Sequence, residues 1–242
     1  MNRSTIVLVT AAGFATARGF LDPFRERLHE GYANLGYAVQ SCSLLPYGDW
    51  QRSKLRQLWE IHHDLRLRPA AYKQAIGGNR LLHALRDKAL VCADDSCEYV
   101  LVGHSGGGVA IVHAALALQQ SQRRIRGLIQ IGSPKCRIAE NLRARTLYVR
   151  GLFCNRGGRP SARGSIDPVT RIGSWGSVMR HTTSIQQPPG SIVDIPIIGG
   201  HPDYFRRSSL HDSEGIHDNE TTTYRIVWSW LCGRMVQQPE QN

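Results

Sequence analysis

The sequence has little of what marks membrane-spanning, fibrous or disordered chains. No apolar run approaches the roughly 18 to 20 residues that a membrane-spanning helix needs. The sequence shows no internal repeat, and its 41% hydrophobic and 20% charged residues exclude collagen, coiled coils and wholesale disorder. The 242 residues therefore predict a single domain over 1–242, with a sizeable core and no stable membrane insertion.

Signatures of bound cofactors and metals are also missing. No G-x-G-x-x-G follows the first apolar run and no G-K-[ST] motif occurs, so neither common nucleotide-binding loop is present. The pairs His62–His63 and His211–His217 supply ligand types, but they lack the H-E-x-x-H or Cys/His spacing of metal sites. We expect no cofactor and no catalytic metal.

Lysine is scarce, and the basic character comes from arginine. Thirty basic residues against 19 acidic ones give a formal net charge of +11, and only four of the thirty are lysines. The arginines are scattered, without the aromatic interleaving or charge runs that are typical of nucleic-acid modules. The surplus as such suits an acidic partner: nucleic acid, anionic lipid or a carboxylate substrate. We expect no nucleic-acid partner and read most of the arginines as solvated surface.

Cysteines are too few and too scattered for a disulfide framework. The six cysteines contain no C-x-x-C pair and stand in a chain that is long enough to fold without staples. We expect reduced thiols, with Cys92–Cys97 as the one local bridge to consider.

The N-terminus imitates a secretory signal. Arg3, the apolar run Ile6–Val9 and Ala15-Thr16-Ala17 match its charged, apolar and cleavage parts. Cleavage after Ala17 would remove an apolar run that reads as the first core strand. We therefore expect a strand and a cytoplasmic protein, with secretion as the alternative if 1–17 is a signal peptide.

Short continuous apolar runs alternate with helical stretches along the chain, as in a parallel sheet that is covered on both faces. The predicted strands are Ile6–Val9, Tyr37–Leu45, Tyr99–Val102, Leu128–Ile131, Leu147–Val149 and Ile192–Ile198. The predicted helices are Leu21–Asn34, Gln51–Leu67, Gly78–Val91, Gly107–Gln119 and Thr222–Val236. This order predicts an α/β fold with an open, mostly parallel, doubly wound sheet of about six strands and helices on both faces.

The strongest chemical signal is Gly103-x-Ser105-x-Gly107, which stands between an apolar strand and an apolar helix. A serine in such a tight strand-to-helix turn needs small residues two positions before and after it, and the turn lifts its hydroxyl above the sheet. The first amides of the following helix, Gly106 N–H above all, point at the same place and suit a developing oxyanion. Ser105 is therefore a candidate nucleophile.

The sequence Gly103-His104-Ser105-Gly106-Gly107 in this setting resembles the nucleophile elbow of the α/β-hydrolase fold family, of the serine esterase, lipase and thioesterase kind. The resemblance extends over nearly the whole chain. It implies a catalytic triad in the chain order serine, acid, histidine, with the acid in a loop two strands after the serine and the histidine after the last strand.

His201 occupies the position that this order assigns to the histidine. It follows the last predicted strand, at the edge of the sheet where active sites of open parallel sheets gather. His211 and His217 are its rivals, but each lies in a polar stretch further from a strand end. His201 is the candidate general base and acid.

Asp167 is the candidate acid, in the long loop after the fifth predicted strand. It would accept the Nδ1–H of the histidine and hold the ring in the required tautomer. Asp194, inside the last strand, and Asp203 are the alternatives, and an ordinary Asp-Pro turn is the non-catalytic interpretation of Asp167.

The resemblance also implies a second oxyanion donor in the loop after the first strand. The family's loop often begins His-Gly, whereas here the histidine is replaced by Ala12. Matching Gly13 to the family's glycine makes the Phe14 N–H the expected donor, although every residue from Ala12 to Ala15 stays open.

These features predict a small serine hydrolase with little or no cap domain, because only about fifteen residues separate the fourth and fifth predicted strands. Segments 51–77 and 155–183 are candidate lids, since loops of that length are usually functional or disordered. The predicted reaction is cleavage of a carboxylic ester or thioester of a small-molecule acyl substrate, with an anionic substrate as one option. An acyltransferase with the same triad and a non-catalytic binding protein of this fold are the alternatives.

Overall fold

The computed structural model describes residues 5–92, 97–155, 166–176, 187–207 and 218–236. Each predicted strand is present, within a few residues of its expected bounds. The strands are β1 (Thr5–Ala12), β2 (Val39–Leu44), β3 (Cys97–His104), β4 (Arg124–Ile131), β5 (Thr146–Cys154) and β6 (Ser191–Ile198). They form one sheet in the order β2-β1-β3-β4-β5-β6, and every neighbouring pair is parallel.

Among the residues described, five helices fall between the strands, and a sixth follows β6. They are α1 (Asp22–Asn34), α2 (Lys54–Arg66), α3 (Ile76–Asp87), α4 (Gly106–Gln120), α5 (Glu140–Arg143) and α6 (Asn219–Val236), with short 3-10 segments at Pro69–Gln74, Pro168–Arg171 and His201–Phe205. The short α5 was not predicted, because one helical turn carries no periodic pattern. None of the helices in these described ranges is long and apolar enough to cross a membrane.

Helices cover both faces of the sheet, as predicted. Each face of the sheet has its own hydrophobic cluster. Alternate residues of β1 belong to one or the other, because neighbouring side chains of a strand point to opposite faces. Val7 and Val9 pack in a cluster with residues of α3 and α4, whereas Ile6 and Leu8 pack in a cluster with residues of α1 and α6. The open parallel sheet with two helical layers confirms the predicted fold class and agrees with the α/β-hydrolase-like architecture that the resemblance implies.

The sheet order determines where a site can form. From β1 the chain crosses to β2 on one side and then to β3 on the other, so the strand order reverses at β1 and β3. Ligands of open parallel sheets bind outside the carboxyl ends of the strands at such a reversal. Ser105 directly follows β3 and therefore lies at this position.

One prediction about the cysteines was wrong. A disulfide joins Cys92 and Cys97, so these two thiols are not reduced, whereas the other four cysteines are free: Cys42, Cys136, Cys154 and Cys232. The Tyr99 hydroxyl accepts a hydrogen bond from the Cys92 N–H at 3.1 Å and donates one to the Leu90 carbonyl. These bonds hold the chain before β3 close to the start of the strand, which brings the two cysteines together.

Candidate active site

Ser105 sits in a strained turn between β3 and α4. Its backbone has φ 55° and ψ −131°, a conformation that a residue with a side chain rarely adopts and that is typical of a nucleophile elbow. A Cβ at position 103 would lie 2.5 Å from Gly108 Cα, and one at position 107 would overlap the Ala11 carbonyl. The glycines two before and two after Ser105 are therefore required by the backbone itself.

The first turn of α4 faces the loop after β1. The leading N–H groups of a helix have no partner within the helix, and the helix dipole adds positive potential there. Gly13 packs directly against Gly106 N, so the two predicted oxyanion elements are adjacent. The Ala15 N–H is taken by Gln57 Oε1 at 2.9 Å, whereas no described residue accepts a hydrogen bond from the Phe14 N–H.

Asp167 follows β5 and is fully buried. Its Oδ1 accepts a hydrogen bond from the Val169 N–H at 3.0 Å and so caps the 3-10 turn that begins at Pro168. Its Oδ2 accepts two hydrogen bonds, from His201 Nδ1 at 2.7 Å and from the Tyr204 hydroxyl at 2.8 Å. The carboxylate is thus fixed on both oxygens and oriented toward the imidazole.

His201 is the first residue of the 3-10 turn that follows β6, and it packs against His104, the residue before Ser105. Its ring stacks on that of His104, with the centroids 4.9 Å apart and the planes 22° apart. The His104 ring also hydrogen-bonds the His201 carbonyl through Nε2 at 3.3 Å. Burial and the neighbouring His201 lower the pKa of His104 to about 3, so His104 stays neutral near pH 7.

The structure joins His201 and Asp167 directly, and it packs His104, the residue before Ser105, on the His201 ring. His201 Nε2 is buried and has no hydrogen-bond partner, and no hydrogen bond from Ser105 Oγ is found within the described ranges. The Ser105 N–H donates to the Ile131 carbonyl at 3.1 Å, which ties the elbow to the end of β4. The Asp167 carboxylate packs on Gly132, the next residue after Ile131.

The other candidates for the acid and the histidine have different surroundings. Asp194 forms a two-fold ion pair with Arg150 at 2.6 and 2.8 Å, within the β5–β6 pair of strands. Asp203 accepts the Gly200 N–H at 2.8 Å and pairs with Arg206. Among the described residues, the carboxylate that hydrogen-bonds the His201 ring is that of Asp167. His211 and His217 lie outside the described residues.

Tyr204 is a site residue that the sequence analysis missed. Its hydroxyl accepts a hydrogen bond from the Gly151 N–H at 2.6 Å while it donates to Asp167. Burial and the adjoining carboxylate raise the pKa of Tyr204 well above its ordinary value, so the hydroxyl keeps its proton. Its ring fills the space where a Cβ of Gly132 or Gly151 would lie. No local pattern announces this role, because all the partners are distant in sequence.

The structure offers no competing metal centre within the ranges it describes. No group of three or more His, Cys, Asp or Glu side chains there is arranged to hold a metal ion. His62 and His63 lie on α2, and the His63 ring bonds the Asp64 carboxylate at 3.1 Å. The site can thus supply a hydroxyl, an imidazole, a buried carboxylate and backbone donors.

Helix α2 lies over this site. Ile61 of α2 occupies the space beside Gly106, and Gln57 of α2 binds the loop that carries Phe14. The first candidate lid segment, 51–77, therefore folds as a helix and a 3-10 turn at the rim of the elbow. Residues 156–165 and 177–183 of the second candidate lid lie outside the described residues.

A cavity of about 710 Å³ opens at the carboxyl ends of β1 and β2. Its lining does not include Ser105, Asp167 or His201, but its wall residue Phe20 contacts the His104 ring at 5.6 Å. Four cations line it, and three of them pair with carboxylates: Arg18 with Asp49 and Arg25 with Asp22, which also line the cavity, and Arg52 with Glu60, which does not. Lys88 is the fourth cation. That the substrate is anionic stays a prediction.

No protein-family model matches the chain, and comparison with curated proteins gives no match. Among solved structures, the chain is similar to the NocB thioesterase domain from the nocardicin cluster, with 15% identity, coverage of 93% of this chain and 95% of that chain, and a TM-score of 0.44. It is also similar to a cutinase-like protein from Cryptococcus sp., with 13% identity, coverage of 97% and 96%, and a TM-score of 0.42. At these identities and TM-scores the likenesses carry no conclusion about chemistry, so a function has to follow from the residues of this chain.

Proposed function

We propose that the protein is a serine hydrolase that cleaves a carboxylic ester or thioester through an acyl-enzyme on Ser105. The observation that carries the proposal is the strained backbone of Ser105 at the start of α4, beside a His201–Asp167 pair joined at 2.7 Å. A structural serine needs neither the strain nor the pair, whereas the nucleophile of an elbow site uses both.

In the proposed first step, His201 Nε2 takes the proton of the Ser105 hydroxyl as the oxygen attacks the acyl carbonyl. The negative charge that forms on the carbonyl oxygen is held by the N–H groups of Gly106 and Phe14, and the α4 dipole favours it. His201 then protonates the leaving alcohol or thiol, and the acyl group stays on Ser105. Asp167 accepts the Nδ1–H throughout, which fixes the tautomer and stabilises the imidazolium.

In the second step, water replaces the leaving group. His201 takes a proton from the water as it attacks the acyl-enzyme carbonyl, and then returns the proton to Ser105 Oγ as the acid leaves. The mechanism requires a hydrogen bond between Ser105 Oγ and His201 Nε2, and such bonds commonly tighten only when substrate is bound. The unpartnered Nε2 of His201 is available for it.

Labelling with a fluorophosphonate probe, followed by mass spectrometry of the adduct, tests the proposal. We expect one adduct, on Ser105, and none in Ser105→Ala or His201→Ala proteins. Asp167→Asn should lower the rate of ester hydrolysis by about a thousandfold or more, because the wrong tautomer of His201 is then favoured. Asp194→Asn is the matched control, since Asp194 pairs with Arg150 and should leave the rate unchanged.

A folded wild-type protein that takes up no label, or takes it up on another serine, would contradict the proposal. An equal loss of rate in Asp167→Asn and Asp194→Asn would also contradict the assignment of the acid. Release of the free acid from esters and thioesters of varied acyl length, measured with and without an added alcohol or amine, separates hydrolysis from acyl transfer.

A further inference from the structure

Helix α2 exposes apolar side chains and buries polar ones, which is the reverse of an ordinary surface helix. Leu55, Leu58 and Trp59 are 81%, 49% and 62% exposed. By contrast, three of the four buried side chains of the helix are polar: Gln57, Glu60 and Asp64. The fourth is Ile61. A surface helix normally buries its apolar stripe and exposes its charges. The three apolar residues share one face, because positions three and four apart are neighbours on a helix.

The buried polar side holds α2 firmly on the domain. Glu60 accepts two hydrogen bonds from Arg52, both at 2.6 Å, and two from Arg80, at 2.8 and 3.0 Å. Asp64 accepts the Tyr47 hydroxyl at 2.9 Å and the Gly77 N–H at 2.7 Å. These contacts satisfy the buried charges, and they fix the apolar side outward as a permanent surface.

The helix that carries this apolar side lies beside the candidate active site. Ile61 of the same helix touches Gly106 in the first turn of α4. Two further exposed apolar side chains stand on neighbouring loops, Trp50 just before α2 and Phe14 at the expected oxyanion donor. The loop that carries Phe14 is bonded to both neighbours: the Thr16 carbonyl accepts the Trp50 N–H, and the Gln57 side chain of α2 accepts the Ala15 N–H.

Cations flank the apolar side at both ends of α2. Lys54 at the start, Arg66 at the end and Arg68 just beyond are exposed. The chain as a whole carries a formal net charge of +11. An exposed helix with leucine and tryptophan on one side and basic residues around it is suited to the headgroup region of an anionic bilayer. A second copy of this chain is a poor occupant, because two basic faces would be brought together.

We propose that the outward face of α2, formed by Leu55, Leu58 and Trp59, docks the protein on an anionic lipid surface. The proposal of a docking surface does not depend on the proposed hydrolase activity. The substrate class that it implies rests on the proposed function: acyl esters or thioesters embedded in lipid, which would pass from the bilayer to Ser105 beside Ile61 and Phe14.

Co-sedimentation of the Ser105→Ala protein with vesicles tests the docking surface independently of catalysis. We expect binding to vesicles of phosphatidylcholine with phosphatidylserine, weaker binding to phosphatidylcholine alone, and a decrease at high salt. The triple change Leu55→Gln, Leu58→Gln and Trp59→Gln should lower the partition coefficient by about tenfold or more, because each buried leucine or tryptophan contributes strongly.

A matched control changes two exposed apolar residues outside α2, Leu35→Gln just after α1 and Ile192→Gln in β6. These are 38% and 39% exposed and should leave vesicle binding unchanged. The triple variant, made with Ser105 intact, should hydrolyse a water-soluble ester at the wild-type rate, which shows that its fold and site are preserved.

Three outcomes would overturn the docking surface: no binding of the parent protein to either vesicle, equal binding by the triple variant, or a dimer in solution that the triple variant abolishes without any vesicle binding. If the protein binds vesicles through α2 but takes up no fluorophosphonate, the docking surface stands and the proposed function fails. If the probe labels Ser105 but the protein does not bind vesicles, the proposed function stands and the docking surface fails.

Discussion

The rings of His104 and His201 are stacked with their centroids 4.9 Å apart, and the His104 ring hydrogen-bonds the His201 carbonyl. The residue that precedes the candidate nucleophile in the chain therefore holds the candidate base by both its ring and its backbone. Phe20, Tyr204 and Phe205 contact the His104 ring from its other sides. The elbow and the 3-10 turn after β6 form one packed unit through His104.

Replacing His104 by alanine should loosen His201 without removing any reacting group. We expect kcat to fall by about ten- to a hundredfold while KM changes little, because a misplaced ring slows proton transfer more than it weakens binding. Steady-state kinetics with a soluble ester measure both constants. His113→Ala is the matched control, since His113 is an equally buried histidine on α4 whose ring bonds the Asp64 carbonyl, away from His201. A larger loss of kcat in the control would refute the positioning role.

The Tyr204 hydroxyl is the second bond that orients Asp167, and its removal gives a separate prediction. Tyr204→Phe keeps the ring packed on Gly132 and Gly151 but leaves the Gly151 N–H and one lone pair of Asp167 without a partner. We expect the free energy of unfolding to fall by about 1–3 kcal/mol, as measured by chemical denaturation.

In the same variant kcat should fall several-fold at unchanged KM, because the carboxylate has lost one of its anchors. Tyr148→Phe is the control: it also removes a buried hydroxyl, one that bonds the Ser133 carbonyl and not the acid. Equal kcat in wild-type and Tyr204→Phe proteins would show that His201 and the Val169 N–H alone suffice to hold Asp167.

The glycines of the elbow predict a steep steric effect. Gly103→Ala would place a methyl group 2.5 Å from Gly108 Cα and 2.6 Å from the Gly107 carbonyl oxygen, both of which are backbone atoms that cannot rotate away. We expect a loss of about 3 kcal/mol or more in the free energy of unfolding, or no soluble protein. Gly233→Ala in α6 is the control, since nothing lies within 4 Å of its Cβ position, and it should gain about 0.5–1 kcal/mol. Thermal unfolding of both variants decides the prediction.

The sequence was informative where a function is encoded locally and uninformative where it depends on packing between distant segments. The strand, the glycines and the helix around Ser105 are contiguous, so the elbow could be predicted in place. Asp167 and His201 could be chosen as candidates because the resemblance supplied a chain order. By contrast, the contacts of Tyr204 with Asp167 and Gly151 join three segments that are distant in sequence, and no periodicity reports them.

Helix α2 shows a second limit of the same kind. The pattern over 51–67 predicted a helix, and the helix is present over Lys54–Arg66. Periodicity gives the separation of apolar and polar sides but not the side that faces the domain. Here Arg52 and Arg80, which lie outside the helix, decide it by pairing with Glu60. The inverted orientation could therefore be seen only in three dimensions.

The Glu60 ion pairs predict how stability depends on pH. Burial acts to raise the pKa of Glu60, but hydrogen bonds from Arg52 and Arg80 outweigh it and lower the pKa to about 2. A carboxyl whose pKa is lower in the folded protein than in the unfolded chain, where it is about 4.3, stabilises the fold above that value. Its contribution is lost as the pH falls from about 5 toward 2.

Glu60→Gln should therefore lower the free energy of unfolding by about 3 kcal/mol at pH 7, since two arginines lose a buried partner. The difference from wild type should shrink progressively between about pH 5 and pH 2, as the wild-type carboxylate becomes protonated. Urea denaturation over this pH range measures both effects. Glu140→Gln is the control, because Glu140 is exposed at 85% and should give a difference near zero at every pH. A deficit in Glu60→Gln that stays constant from pH 7 to pH 2 would mean that the ion pairs do not hold α2 in place, and that shape alone keeps its apolar side turned outward.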